Sequence, residues 1–480
     1  MILMEYIKFI DFIYCLFYSI IPFGNKSNKG RMKNMIKDLT EGNPQKVLWQ
    51  FTIPMFISVI FQQLYNIADS VIAGKFAGED ALAAVGASYP ITMIFMAIAV
   101  GSNVGCAVVI SQLFGAKEYG KMKTAVFTTL ISSVVLSVVL MAAGLLGTRG
   151  LMEMIHTPEN IFADGALYLR IYVGGFLFLF LYNVATGIFT SLGDSKTPLY
   201  FLIGSSLGNI ALDTWFVAGF HWGVAGVAWA TFIAQGIACV LALLTLVKRL
   251  RTVETAEKYD IFSFGMLKKI SMIAVPSILQ QSFVSVGNIF IQSLVNSFGS
   301  SVIAGYSAAI KLNTFSITCF TTLGNGVSSF TAQNLGAGKV DRARKGLGAG
   351  IKMGLLTAVP FFIAFFIFGQ NMVQLFMSGD ASAVALNTGI IFLRIVAPFY
   401  FVISIKLVID GMLRGAGAMA SFMVATFTDL VLRVILSYIL AANFGATGIW
   451  MSWPIGWSIA TALSVLFYWR GKWADKFKAQ

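Results

Sequence analysis

Apolar segments of spanning length recur along this chain from Val47 onward, separated by short tracts that carry the charged residues. Continuous apolar runs of about 20 residues are typical of membrane-spanning helices, whereas barrel strands alternate polar and apolar positions over about ten residues. The pattern predicts an all-α integral membrane protein. We place its twelve transmembrane helices at about 47–73, 82–112, 124–147, 163–190, 198–219, 223–247, 270–297, 302–332, 346–370, 384–411, 418–441 and 445–469.

The residues before the first span are predicted to form a cytoplasmic N-terminal segment, 1–46. Its apolar stretch 6–23 contains charged residues and is shorter than the roughly 20 apolar residues that a span requires. No small-residue cleavage site follows it, as a signal peptide would need. A start codon assigned too far upstream is an open alternative, with Met32 or Met35 as the natural first residue.

Lysine and arginine residues are concentrated in every second connection. They precede span 1, follow spans 2 and 8, lie between spans 6 and 7, and follow span 12. The positive-inside rule places such connections in the cytoplasm. The sequence therefore predicts a multi-pass protein of a bacterial-type cytoplasmic (inner) membrane, with both termini cytoplasmic. The connections after spans 2 and 8 supply Lys117, Lys121, Lys123, Lys339, Arg342, Arg344 and Lys345.

Composition agrees with this class and excludes others. The chain is 57% hydrophobic and only 11% charged, with a mean hydropathy of +0.80, whereas soluble domains are about 25% charged. The net charge of +13 is spread over the short connections rather than one face, so we expect no nucleic-acid partner. The cysteines stand singly, and both histidines fall in connections. No nucleophile and base or metal-ligand motif appears, so we expect neither an enzyme nor a cofactor.

An internal repeat relates the two halves of the chain. "SQLFGAKEYGKMK" at 111–123 corresponds to "AQNLGAGKVDRAR" at 332–344, and "YLRI" at 168–171 corresponds to "FLRI" at 392–395. Six spans per half give both halves the same orientation, an arrangement that places a binding cavity between them and permits rocking alternating access. The predicted parts are an N-lobe at 47–247 with spans 1–6, a cytoplasmic linker at 248–269, a C-lobe at 270–469 with spans 7–12, and a cytoplasmic tail at 470–480.

Polar residues form a stripe on the first span and recur on the fifth. Ser58, Gln62, Asn66 and Asp69 follow one another at steps of four, four and three, which places them on one helical face. In span 5, Asn209 and Asp213 are one turn apart; span 4 offers Asn183 and span 6 offers Thr231. Carboxylates with amide and hydroxyl oxygens suit a hard cation, and a desolvated carboxylate can also hold a proton near neutral pH.

The repeat assigns this chemistry to one lobe. The C-lobe position that corresponds to Asp69 is Ile291, and Asp213 corresponds to Ile435 or Ser437, depending on the repeat shift. The second lobe has therefore kept the helices and lost both acids. We expect ion coupling in the N-lobe alone.

Several motifs in order resemble the multidrug and toxic compound extrusion (MATE) transporters of the MOP superfamily. The matching stretches are "FQQLYNIADSVIAGKFAG", "QLFGAKEYGK", "GIFTSLGDSKTPLYF", "GMLRGAG" and "GATGIWMSWPIGW", within about residues 38–470. The resemblance implies a twelve-helix, two-lobe fold that exports organic compounds against an inward proton or sodium gradient.

The resemblance also implies a site. In the DinF-like branch of the family, a polar N-lobe cluster from spans 1, 4, 5 and 6 is the proposed cation site. The positions that match here are Gln62, Asp69, Asn183, Asn209, Asp213 and Thr231, with Na⁺ as one candidate ion at Asp69, Asn209, Asp213 and Thr231. The chain departs from the NorM-like branch, because span 7 carries amides in place of C-lobe acids.

The candidate substrate cavity is lined by polar residues that face the space between the lobes. These are Asn66, Gln281, Asn288, Gln292 and Lys311. Lys311 is either a snorkelling or paired residue, or a cavity cation that contacts substrate. Lys406 is expected to snorkel to the interface or to pair with Asp410, and Asp429 is expected to pair with Arg433.

The prediction for function is a monomeric secondary active transporter in the lipid bilayer. It exports amphipathic, cationic small organic molecules in exchange for H⁺ or Na⁺. The alternative is a flippase of the same superfamily for lipid-linked saccharides or precursors. Such proteins often have fourteen spans and a basic cavity, and Lys311 keeps this alternative open.

Overall fold

The computed structural model describes the backbone of residues 37–72, 79–155, 157–377 and 382–478. It describes the side chains of the same residues except 67–72, 79–82, 476 and 478. Within these ranges the chain is helical and contains no strand. The helices are α1 Pro44–Ile72, α2 Glu79–Gly115, α3 Tyr119–Met154, α4 Glu159–Gly174, α5 Phe176–Ser191, α6 Lys196–Asp213, α7 Gly223–Thr252, α8 Phe264–Asn296, α9 Ser300–Gly336, α10 Val340–Phe362, α11 Gly369–Gln374, α12 Ala383–Val396, α13 Tyr400–Gly415, α14 Met419–Phe444, α15 Ala446–Trp469 and α16 Asp475–Lys478.

Ten of these helical stretches are long and apolar enough to cross a membrane. The count becomes eleven when α4 and α5, which meet at a 47° bend, are taken as one span. The remaining predicted span, 302–332, lies within α9, which is 37 residues long but richer in serine, threonine, asparagine and glycine. At about 1.5 Å per residue, α9 also exceeds the thickness of a bilayer core.

Each predicted half of the chain packs around one of its long helices. In the first half, which we call the N-lobe, α2 contacts α3, α4 and α5, and α7 contacts α5 and α6. In the second half, the C-lobe, α9 contacts α10, α12 and α13, while α14 and α15 pair along their lengths. The segment between the lobes is shorter than the predicted linker, since α7 ends at Thr252 and α8 begins at Phe264.

Glycines with positive φ angles show which positions of the two lobes correspond. Gly193 and Gly417, with φ of 74° and 71°, precede α6 and α14; Gly223 and Gly445, with φ of 55° and 60°, stand at the starts of α7 and α15. A residue with a β-carbon is strained in this conformation, so the glycines mark equivalent turns. Gly193 and Gly223 of the N-lobe are 30 positions apart, whereas Gly417 and Gly445 of the C-lobe are 28 positions apart. The longer N-lobe segment contains a π-helical stretch, Thr214–Gly219, which α14 lacks.

The interiors of the lobes are filled differently. The C-lobe core is aromatic: the rings of Tyr306 and Trp450 stack at 5.0 Å, and Trp453 and Trp457 meet edge to face at 5.7 Å. Counted from the glycines that begin α7 and α15, the three tryptophans at 450, 453 and 457 correspond to Ala228, Thr231 and Gln235. Small and polar residues therefore occupy the N-lobe positions where the C-lobe is packed with rings.

Candidate functional site

The predicted polar cluster is formed where α6 packs against α7. Asn209 and Asp213 lie one turn apart on α6 and are 3% and 0% exposed. The Asn209 Nδ2 atom donates to the Thr231 Oγ1 atom on α7, at 3.5 Å. Helix α1, which carries the polar stripe, also packs against α6. Asn209 of α6 thus meets a hydroxyl of α7 inside the N-lobe, and Asp213 is buried one turn further along α6.

Oxygen atoms of this cluster are available to a cation. Among the described residues, the Asn209 Oδ1 and Gln235 Oε1 atoms are buried and have no hydrogen-bond partner. Burying such oxygens is costly unless something binds them. Gln235 was not among the predicted site residues, although it follows Thr231 by one turn and so shares its helical face.

The backbone changes immediately after Asp213. The π-helical stretch Thr214–Gly219 begins at the next residue, and the Thr214 Oγ1 atom donates to the Ile210 carbonyl at 2.8 Å. Short π-helical insertions are frequent at functional sites, because the extra residue redirects the side chains around it. The carboxylate of α6 therefore stands at a local irregularity of its helix.

Two other predicted site residues, Asn183 and Gln62, lie on α5 and α1. The Asn183 Nδ2 atom donates to the Leu179 carbonyl of its own helix at 2.9 Å. Gln62 is exposed on α1. Asp69 lies on the backbone of α1, and its side chain lies outside the described residues. Its pairing with Asp213 therefore stays a prediction.

The candidate cavity residues are placed individually. Asn66 and Asn288 are exposed, Gln281 is half-buried, and the Gln292 Nε2 atom donates to the Asn296 Oδ1 atom at 2.8 Å. Lys311 is exposed, with its ammonium group 6.0 Å from the centroid of the Phe376 ring. Within the described part of the chain no carboxylate pairs with it. The substrate-cavity role of these residues stays a prediction.

The C-lobe charges form buried pairs. The Lys406 Nζ atom lies 2.6 Å from the Asp410 Oδ2 atom, and the Ser464 Oγ atom donates to the Asp410 Oδ1 atom at 2.7 Å. The pairing predicted for Lys406 is confirmed. The snorkelling alternative is wrong, since Lys406 is 2% exposed and is held inside the lobe by this hydrogen-bonded carboxylate. The predicted pair between Asp429 and Arg433 is also present, at 3.9 Å.

The two lobes are joined at the end that carries the basic connections, which we call the basic end. The Gln112 Nε2 atom of α2 donates to the Gly415 carbonyl of the C-lobe at 2.9 Å. The Gln333 Nε2 atom of α9 donates to the Ser191 carbonyl of the N-lobe at 2.7 Å. Both glutamines and both acceptors are equivalent repeat positions. The lobes therefore exchange one hydrogen bond in each direction.

Glycines allow the backbones to meet beside these hydrogen bonds. A β-carbon on Gly115 would collide with the Gln333 carbonyl oxygen, and a β-carbon on Gly336 would collide with the Gln112 carbonyl oxygen. The sequence had already paired these four residues through the repeat. The sequence did not indicate that these residues contact one another across the lobes, because each glycine faces a carbonyl from the other half of the chain.

The segment that leads into α1 is also held by the C-lobe. The Leu39 amide donates to the Gln333 Oε1 atom at 3.0 Å, and the Lys339 Nζ atom donates to the Thr40 carbonyl at 3.0 Å. The segment that leads into α8 is held by the N-lobe in the same way, since the Asp260 amide donates to the Thr124 Oγ1 atom at 3.0 Å. We call this whole set of cross-lobe contacts the basic-end closure.

Comparisons with known proteins agree with this architecture. The MatE family model matches residues 54–215 and 276–439. A relative from Bacillus subtilis (strain 168), the probable multidrug resistance protein YpnP, is 30% identical over 443 residues, which are 91% of this chain and 97% of that protein. The multidrug export protein MepA of Staphylococcus saprophyticus is 22% identical over 426 residues, 88% of this chain and 92% of that protein.

A solved structure gives the same result for the fold. It is described as the outward-facing conformation of a multidrug resistance MATE family transporter of the MOP superfamily. The TM-score is 0.85 at 24% sequence identity, and the match covers 95% of this chain and 100% of that one. The predicted all-α, MATE-like membrane fold is confirmed.

Proposed function

Because this chain belongs to the MatE family of membrane transporters, we propose that it exports organic, amphipathic cations in exchange for a proton or a sodium ion. The observation that carries the proposal is the N-lobe cluster of Asn209, Asp213 and Thr231. It places a buried carboxylate and a buried amide beside a half-buried hydroxyl inside a membrane-spanning bundle. Ionisable residues in such positions are costly and mark ion pathways. A transporter of this family performs no covalent chemistry, so the chain is not an enzyme.

The coupling ion acts through the charge of the N-lobe. An anionic Asp213 favours any conformation in which water or a cation reaches it. A neutralised Asp213 favours a conformation in which the lobe closes around it. The ion therefore binds the two conformations with different affinities, which is the requirement for shifting an equilibrium between them. Asp69, on the neighbouring helix α1, is proposed as the second carboxylate of this switch.

The basic-end closure defines one of the two conformations between which the coupling ion shifts the protein. Its hydrogen bonds between Gln112, Gly415, Gln333 and Ser191 hold the lobes together at one end of the bundle. We assign this end to the cytoplasm from the positive-inside rule. The described state then corresponds to a transporter closed on the cytoplasmic side, from which substrate leaves outward. Rocking of the lobes would break the closure to admit the next substrate.

Efflux from proteoliposomes tests the proposal. Liposomes loaded with ethidium are given an opposing gradient of protons or of sodium ions, and loss of dye fluorescence is followed. We expect one of the two gradients to accelerate export, and Asp213→Asn to abolish that acceleration. Ser437→Ala, at the equivalent C-lobe position, is the matched control and should retain it. Export that neither gradient accelerates would contradict the proposal.

A further inference from the structure

The C-lobe carries a fixed positive charge at the place of the N-lobe cluster. Counted from the equivalent left-handed glycines, Asn209 corresponds to Arg433 and Thr231 corresponds to Trp453. In the N-lobe the Asn209 Nδ2 and Thr231 Oγ1 atoms lie 3.5 Å apart. In the C-lobe the guanidinium carbon of Arg433 lies 4.4 Å from the centroid of the Trp453 ring. Each pair is in contact in its own lobe, so the correspondence holds in space as well as in sequence.

The charge is held by a carboxylate and a ring. The Arg433 Nη2 atom lies 3.9 Å from the Asp429 Oδ2 atom, and both side chains are 8% exposed. The indole face of Trp453 attracts the guanidinium, and this interaction is strengthened where water is excluded. Gly456 leaves room for the carboxylate, since a β-carbon there would stand 2.7 Å from the Asp429 Oδ1 atom. That Oδ1 atom has no hydrogen-bond partner in the described part of the chain.

The second carboxylate position of the C-lobe is neutral. Counted from the same glycines, Asp213 corresponds to Ser437, whose Oγ atom shares a hydrogen bond of 2.8 Å with the Ser452 Oγ atom. Counting from Gly193 and Gly417 gives Ser437, whereas counting from Gly223 and Gly445 gives Ile435. The first count applies to Asp213, because the irregular N-lobe stretch, Thr214–Gly219, begins after it. The C-lobe therefore retains one carboxylate near the equivalent site, Asp429, and supplies the cation for it from its own side chains.

We propose that the Arg433 guanidinium is a tethered cation that stands in the C-lobe where the coupling ion stands in the N-lobe. By neutralising Asp429 permanently, it excludes a second coupling ion and confines ion binding to one lobe. This inference rests on the proposed function, because it takes the N-lobe cluster to be the ion site. Arg433 is then a residue that determines where the ion binds, not a catalytic residue.

The physical basis is the cost of an unpaired buried charge. Without the guanidinium, Asp429 is a buried carboxylate without a counter-charge, and it must take up a proton or a sodium ion from solution. Other titratable groups lie close to this site. The Lys406 Nζ atom reaches the Thr426 Oγ1 atom, at 3.4 Å, from α13, and Tyr306 of α9 interacts electrostatically with Arg433. Lys406 is already paired with Asp410, so it is not released to neutralise Asp429.

Melting temperatures of purified protein in detergent test the proposal. Each variant is measured in sodium chloride against equal choline chloride, and in choline chloride at pH 5.5 against pH 7.5. The native protein is expected to be stabilised by one of the two cations, and Asp213→Asn to lose that response. Adding Arg433→Gln to Asp213→Asn should create a new cation response. Adding Arg433→Lys instead should not, because the charge remains.

The outcomes separate the two hypotheses. A double variant Asp213→Asn/Arg433→Gln that folds but melts at the same temperature in every condition overturns the tethered cation. Adding Asp429→Asn to it should remove the new response, and a response that persists also counts against the proposal. A native protein that responds to neither cation contradicts the N-lobe ion site instead.

A reciprocal variant covers the case in which Arg433→Gln does not fold. Asn209→Arg gives the N-lobe its own guanidinium and should abolish the native cation response, whereas Asn209→Gln, which alters the cluster without adding a charge, should only weaken it. An unchanged response in folded Asn209→Arg would overturn the proposal. This comparison does not depend on the stability of the C-lobe variant.

Discussion

The N-lobe and the C-lobe are two versions of one six-helix unit, and they differ most where the unit is buried. The N-lobe places an amide, a carboxylate and a hydroxyl at Asn209, Asp213 and Thr231. The C-lobe places Arg433, Ser437 and Trp453 at the same positions. The fold requires neither set, because both lobes build the same helices. We propose that the N-lobe binds the coupling ion, whereas the C-lobe carries its own neutralising charge.

The packing around these positions follows the same division. In the C-lobe, tryptophan and tyrosine rings fill the interior, and the buried charges have partners in their own lobe. In the N-lobe, small residues leave the α6 and α7 interface polar, and α6 changes to a π-helical form after Asp213.

Introducing an arginine at Asn209 should remove the difference between the lobes, and among these variants it should reduce transport the most. Asn209→Arg should lower gradient-driven dye efflux by at least about tenfold, which corresponds to a loss of about 1.4 kcal/mol of coupling free energy. Efflux from proteoliposomes is the measurement, with Asn209→Gln as the uncharged control. Native efflux rates in a folded Asn209→Arg protein would mean that the N-lobe cluster is not the coupling site.

The C-lobe charges should prove structural when one partner is removed. Lys406→Met leaves Asp410 buried without its counter-charge, and breaking such a pair costs about 3–5 kcal/mol. A thermal melt in detergent should therefore show a marked fall in melting temperature. Adding Asp410→Leu should recover much of the loss. If Lys406→Met were as stable as the native protein but defective in coupling, the passive role of the C-lobe would be contradicted.

The two lobes should behave alike at the basic-end closure. Gly115→Ala and Gly336→Ala each introduce a β-carbon against a carbonyl oxygen of the other lobe. Both variants should shift the population away from the closed state, seen as longer distances between spin labels at exposed Lys121 and Lys345. Gly348→Ala, where a β-carbon meets open space on α10, is the control. Unchanged distances in both glycine variants would show that these glycines do not control closure.

Removing the side-chain hydrogen bonds should have a smaller effect of the same kind. Gln112→Ala or Gln333→Ala deletes one cross-lobe bond worth about 0.5–1.5 kcal/mol. The ratio of closed to open populations should fall by about 2- to 12-fold in each. The same spin-label pair reports it, with Gln374→Ala, an exposed glutamine outside the closure, as the reference. Effects that differ strongly between the two glutamines would argue against a symmetric closure.

The sequence predicted the architecture well, because membrane spans depend on long apolar runs and the repeat is carried by glycines at tight turns. The contact between α6 and α7 could also be predicted, since Asn209 and Thr231 are polar residues on otherwise apolar helices. The orientation of the Asn183 side chain could not be predicted, because an asparagine within a helix can donate a hydrogen bond to the backbone carbonyl four residues earlier. The burial of Lys406 could not be predicted either. Its partner Asp410 also accepts a hydrogen bond from Ser464, which is distant in sequence.

The most direct test of one-lobed coupling separates ion coupling from substrate movement in Asp213→Asn. Proteoliposomes carrying this variant are compared in gradient-driven dye efflux and in dye counterflow, which needs rocking of the lobes but no ion gradient. With coupling confined to the N-lobe, we expect counterflow to continue near the native rate while gradient-driven efflux is lost, and Ser437→Ala to retain both. Gradient-driven efflux that persists in Asp213→Asn would contradict it.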